Sequence, residues 1–201
     1  MVQGKHTQLL GRDAVLLWGS AEAVNGQIEL TAPRDAPDGI GSALVLVKWK
    51  PMQGARVIAE TLERWGGDET WRGAWLYVTG DPKFFYPAFY MRPYEGKIER
   101  GWSLGPTPED QLIFDTTEAP LIGRDSPWAV ELRCDHEAFH IGLFTVFAGM
   151  SKHDWWSSVT RQGINCATGT EMAWPPMWLG LYCEASRTRW LVEDMNEEST
   201  K

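Results

Sequence analysis

The apolar residues of this chain come in short runs, and clusters of Gly, Pro, Asp and Asn separate those runs almost everywhere. Such punctuation suits an all-β domain, since a strand needs only a few residues and each turn needs residues that tolerate special backbone angles. Val15–Trp18 follows Gly11-Arg12-Asp13, and Asn25-Gly26 is a hairpin signal. Gln27–Thr31 then alternates polar and apolar residues, the period of a half-buried strand. Pro33 and Pro37 end it, because proline cannot keep donating to a β-ladder. Ser42–Lys50, Trp71–Thr79, Phe84–Tyr90, Gln111–Thr116, Ala129–Cys134 and Ile141–Phe147 read as further strands.

One segment reads as a helix. Over Met52–Trp65, Val57, Ile58, Leu62 and Trp65 recur at helical spacing, Arg56, Glu60, Glu63 and Arg64 face away, and Gly66-Gly67 stops the run. Seven or eight short strands with one inserted helix predict a sandwich or jelly roll rather than a parallel α/β sheet. The last fifty residues lack the strand rhythm but hold Trp155-Trp156, Trp174-Pro175-Pro176-Met177-Trp178 and Trp190. The expected organisation is a β-domain over residues 1–150 and an irregular, Trp-rich extension over 151–201 that lies between subunits or on the surface. Twelve tryptophans fit two readings: they fill a core, or they become buried against other copies.

Charge and cysteine usage exclude several classes. With a net charge of −8 and no basic arm or stripe, the chain does not bind nucleic acid by simple cationic attraction. No apolar stretch is long enough to cross a bilayer, and Met1–Leu10 has no export-signal pattern. Cys134, Cys166 and Cys183 have neither disulfide nor zinc-knuckle spacing, and Cys134 is expected to be buried.

Three local patterns carry a family resemblance. The first is Leu16-Leu17-Trp18-Gly19-Ser20 followed by Gly26-Gln27-Ile28-Glu29-Leu30 and Ala32-Pro33. The second is Thr70-Trp71-Arg72-Gly73, then Tyr86-Pro87-Ala88-Phe89-Tyr90 and Arg92-Pro93. The third is Leu112-Ile113-Phe114-Asp115, then Asp125-Ser126-Pro127-Trp128 and two strands beyond. In this order the chain resembles the capsid proteins of picorna-like viruses, most closely those of plant secovirids such as cheraviruses and comoviruses. The resemblance implies a single eight-stranded antiparallel jelly roll of the viral coat type, with the helix inserted and an irregular C-terminal tail. It also implies a structural role without catalysis or cofactor. The partners would be sister capsid proteins and encapsidated single-stranded RNA, with no membrane, in a virion assembled in the host cytoplasm.

Two other functions have residues behind them. His136-Glu137-Ala138-Phe139-His140 fits H-E-x-x-H, which on a helix would set two zinc-binding imidazoles one turn apart, with Glu137 as general base of a metalloprotease. The alternation of Val130, Leu132 and Cys134 with Glu131 and Arg133 predicts instead that these residues are a polar connection between two strands. A third zinc ligand, such as Glu171 or Glu184, has no motif to support it. Asp110, Asp115 and Glu118 form a carboxylate cluster, read as a solvated edge or as a cation site between subunits. The remaining histidines, His6 and His153, read as surface residues. The other function is a carbohydrate-binding β-sandwich, in which Trp71, Trp75, Tyr77, Tyr86 and Tyr90 would form an exposed flat face for stacking on sugars.

Overall fold

A computed structural model describes residues 4–36, 41–65, 73–83, 87–94, 97–105, 111–118, 126–147, 150–160 and 174–195. Among them are fifteen strands and no helix. In chain order these are β1 (Lys5–Leu9), β2 (Arg12–Trp18), β3 (Ser20–Val24), β4 (Gln27–Thr31), β5 (Ser42–Lys48), β6 (Ala55–Arg64), β7 (Gly73–Thr79) and β8 (Ala88–Tyr94). There follow β9 (Lys97–Ser103), β10 (Gln111–Glu118), β11 (Trp128–Cys134), β12 (Ala138–Phe147), β13 (Met150–Thr160), β14 (Trp178–Glu184) and β15 (Ser186–Asp194).

The strands form two antiparallel sheets. One has eight strands in the order β1-β2-β5-β14-β7-β8-β9-β10, and the other has seven in the order β13-β12-β11-β6-β15-β4-β3. The all-β sandwich expected from the sequence is therefore present, but two expectations within it need correction. Met52–Trp65 is not a helix. Ala55, Val57 and Ala59 point into the core, while Arg56, Ile58 and Glu60 alternate with them on the outer side as β6. The small alanines hid that period. The C-terminal part is not an irregular extension either: β14 lies between β5 and β7, and β15 between β6 and β4, in the middle of each sheet. Fifteen strands in two sheets thus stand where eight in one jelly roll were expected.

The core is built from alternate residues of both sheets. Val45, Val47, Leu76, Val78, Leu179 and Leu181 project from the eight-stranded sheet, and Ile28, Leu30, Val57, Val130 and Leu132 meet them from the other. Aromatic rings fill the wider gaps edge to face, with Phe89 at 5.7 Å from Phe139 and Trp128 at 6.1 Å from Trp190. Trp190 is wholly buried, and its indole N–H donates to Thr188 Oγ1 at 2.8 Å.

Two tight connections carry the chain from one sheet to the other. Gly19, between β2 and β3, has φ of 68°, and a Cβ there would come within 2.3 Å of the Ala43 Cβ, so only glycine fits. Ala185, between β14 and β15, also has positive φ, at 40°. It is fixed from both sides, its N–H donating to Gly41 O at 2.8 Å and its carbonyl accepting from Trp65 N at 2.8 Å.

Candidate functional site

The two outer faces of the sandwich differ in chemistry. On the seven-stranded sheet the outer face carries ion pairs. Arg189 on β15 donates to Glu29 on β4 at 2.9 Å and lies 3.5 Å from Glu60 on β6, and Arg56 on β6 donates to Glu131 on β11 at 2.6 Å. A cross-strand ladder of opposite charges is the normal dress of a sheet that meets water.

The outer face of the eight-stranded sheet is apolar and aromatic. Val15, Leu44, Leu46, Trp75, Tyr77, Ala88, Tyr90 and Tyr182 form a cluster separate from the main core, with Leu17, Trp18 and Trp178 half-buried against it. Strand alternation explains the separation: Trp75 and Tyr77 face outward because Ala74, Leu76 and Val78 face the other sheet. Tyr182 is the hub, 5.6 Å from both Trp75 and Tyr77 and 6.5 Å from Trp18, each edge to face. Trp75 and Tyr77 stack at 6.0 Å, and Tyr90 lies 5.7 Å from Trp75.

Polar groups are set into this surface. The Tyr182 hydroxyl donates to the Glu184 carboxylate and accepts from Ser42 Oγ at 3.1 Å. Burial, and next the charge of Glu184, push the Tyr182 pKa well above that of an ordinary phenol. Arg92 places its guanidinium 4.2 Å over the Trp75 ring and donates to Glu99 at 2.7 Å. Tyr90 is fully buried, and its hydroxyl meets no hydrogen-bond partner among the described residues. Desolvation pushes the Tyr90 pKa up to about 12.

The expected stacking face is thus partly assembled and differently exposed. Trp75, Tyr77 and Tyr90 come together, but at 3%, 3% and 0% exposure they do not form an open flat platform. Trp71 and Tyr86 lie outside the described residues. The sequence reading missed Trp18, Trp178 and Tyr182, although Trp178 and Tyr182 share a face through the period-two spacing of β14.

The H-E-x-x-H stretch is a hairpin between β11 and β12, as the alternation upstream predicted, and not a helix. Asp135 Oδ1 accepts from the backbone N–H groups of Glu137 and Ala138, each at 2.7 Å, and Oδ2 lies 2.9 Å from His140 Nε2. These bonds, the one to His140 foremost, hold the Asp135 carboxyl at about 2. The one-turn spacing that zinc would need does not exist in a strand. Among the described residues no three His, Cys, Asp or Glu side chains gather as metal ligands. Asp110 and Glu171 fall outside the described residues, as do the side chains of Asp115, Glu118 and His153, whereas His6 is exposed. Cys134 and Cys183 are buried free thiols.

No protein-family model and no curated protein matches the sequence. In fold, the chain is similar to the exoplasmic/lumenal domain of VIP36. Its Ca²⁺-bound form matches with TM-score 0.51 at 11% identity, over 87% of this chain and 79% of that one. The Ca²⁺/Man3GlcNAc-bound form matches with TM-score 0.51 at 11% identity, over 90% and 84%. A legume lectin-like domain from Entamoeba histolytica covers 92% of this chain and 90% of its own length at 9% identity, with TM-score 0.47.

These findings overturn the coat-protein reading. The solved structures cited above with TM-scores over 0.5 are forms of a lumenal domain, one of them with sugar bound. Five of the twelve tryptophans, Trp49, Trp75, Trp102, Trp128 and Trp190, are each at most 3% exposed in the single chain and so need no neighbouring subunit to cover them. Sister coat proteins, packaged single-stranded RNA and a virion were expected only as consequences of that reading.

Proposed function

We propose that this chain is a carbohydrate-binding β-sandwich, with its sugar on the outer face of the eight-stranded sheet where Trp18 reaches the surface. The observation that carries the reading is the contrast between the two outer faces. A two-layer sandwich needs to bury only its inner faces, and the ionic ladder on one outer face follows that rule. The aromatic cluster on the other departs from it. Sugar recognition is a physical reason for the departure, because the C–H face of a pyranose stacks on an aromatic ring while its hydroxyls need carboxylate and hydroxyl partners. Trp18 offers the ring, and Tyr182 beside it leads to Ser42 and Glu184. The fold shared with a domain solved in its Man3GlcNAc-bound form supports the same reading.

The test is an array of oligosaccharides that includes mannose-containing ones, followed by calorimetry on any ligand found. Trp18→Ala should weaken binding by about tenfold or more, the worth of one stacked ring, while the melting profile stays close to that of the parent. A folded chain that binds no sugar on the array rejects the reading.

A further inference from the structure

A cleft lies at one end of the sandwich, away from Trp18. It is an open cleft of about 670 Å³ lined by the β1–β2 turn, the segment after β5, the residues before β14 and the last residue of β15. We propose that this cleft binds a small amphipathic monoanion, an apolar body bearing one carboxylate or sulfonate. The inference goes beyond the sugar reading and does not depend on it.

Three observations support it. The floor is apolar and preformed. Trp49 is buried there, its indole N–H donating to Pro176 O at 2.9 Å and its backbone N–H to Met177 O at 3.0 Å. The walls keep apolar surface in water: of the four exposed large hydrophobic residues among those described, Leu10, Met52 and Met177 line this cleft, with Met52 58% exposed. Flexible thioether side chains at a pocket mouth adapt to varied apolar shapes. The volume also suits a ligand of ordinary small-molecule size.

The rim sets the charge. Arg12 pairs with Asp194 at 3.1 Å, and Lys48 lies 3.9 Å from Asp13. Lys50, the remaining charged residue of the lining among those described, is exposed and has no ion-pair partner among the described residues. Among the described residues the cleft therefore has one cation in excess, on a chain whose net charge is −8. A monoanion completes that rim, whereas a neutral apolar ligand leaves Lys50 unanswered.

The experiment uses the full chain with methyl-labelled methionine. The probes are anilinonaphthalene sulfonate, an amphipathic monoanion, and phenylnaphthylamine, its uncharged counterpart; Met52→Leu and Met177→Leu assign the two methyl signals. The sulfonate should shift the Met52 and Met177 methyls and leave the buried Met91 in place. Lys50→Glu should weaken the sulfonate by about fivefold or more and change the uncharged probe little, given the worth of one exposed charge pair. Unmoved Met52 and Met177 methyls at saturating sulfonate, or equal affinity in Lys50→Glu, overturn the proposal. Shifts of these methyls on protein dilution would give the cleft to a second copy of the chain, and shifts with a mannose oligosaccharide would give it to the sugar site. Either result also overturns it. Sugar binding that leaves these methyls alone keeps the two sites separate.

Discussion

Tyr77 and Tyr90 face each other across β7 and β8 with ring centroids 6.2 Å apart, and the same cross-strand row continues into Gly180 on one side and Gly101 on the other. Two large rings meet at a tilt of 45° in the middle of the sheet, and the flanking positions carry no side chain to crowd them. The outer face is thus packed as deliberately as a core, although it faces away from the second sheet.

Tyr90 gives the first prediction. Its buried hydroxyl has no partner among the described residues, and leaving such a group unsatisfied costs about 1–3 kcal/mol. Tyr90→Phe keeps the ring and removes the liability, so the urea midpoint should rise. A fall would mean that the hydroxyl already has a strong partner.

The Arg92–Glu99 pair gives the second. Both side chains are under a tenth exposed, and Arg92 also covers the Trp75 ring. Arg92→Ala strands a buried carboxylate and should cost about 3–5 kcal/mol. The double replacement Arg92→Met with Glu99→Leu should recover most of that loss. A double-mutant cycle of Arg92→Met, Glu99→Leu and their combination, followed by urea unfolding, checks it, and additive single effects would contradict the coupling.

Acid gives the third. The Asp135 carboxyl is held at about 2 from an ordinary 3.8, first by its bond to His140 and then by the N–H groups of Glu137 and Ala138. Its folded value lies below its unfolded one, so its contribution to the hairpin is complete above the ordinary value and disappears as pH falls through about 2. The carboxyl carbon of Asp135, followed by NMR, should titrate near that lower value. Asp135→Asn should leave the Glu137 and Ala138 amides insensitive to the same pH range. A midpoint near 3.8 would show the three bonds absent.

The fourth concerns residues 1–150 alone. Without β14, β5 and β7 lose their shared neighbour, and without β15, β6 and β4 lose theirs. A chain ending at residue 150 should therefore show no dispersed amide spectrum. Cooperative unfolding of that fragment would restore the two-part organisation read from the sequence.

Legibility followed the clarity of the local period. Gln27–Thr31 and Ser42–Lys48 were readable because alternation or a continuous apolar run was bounded by turn residues. Asn25 and Gly26 take the positive φ values, 51° and 78°, that their turn demands. β6 was misread because Ala55 and Ala59 mark its inward face weakly, while outward Ile58 mimicked a helical stripe. β15 carries a plain period, Ser186, Thr188, Trp190 and Val192 inward, but polar inward residues and an acidic end disguised it. The aromatic outer face was half legible. Trp75, Tyr77 and Tyr90 lie on two strands close in sequence, whereas Trp18 and Tyr182 reach them only through a register set by distant strands. The coat-like patterns followed strand order and turn chemistry, which many sandwiches share, and so could not distinguish a shell subunit from a ligand-binding domain.

The hairpin through Ala185 also bears on how the molecule is made. Because β14 and β15 enter the centre of one layer each, neither layer is whole until residue 194 has left the ribosome. During synthesis β5, β7, β6 and β4 wait with open hydrogen-bonding edges, the kind that pair with other nascent chains. Keeping those edges apart from other nascent chains until β14 and β15 emerge therefore bears directly on how much of this protein reaches its folded state.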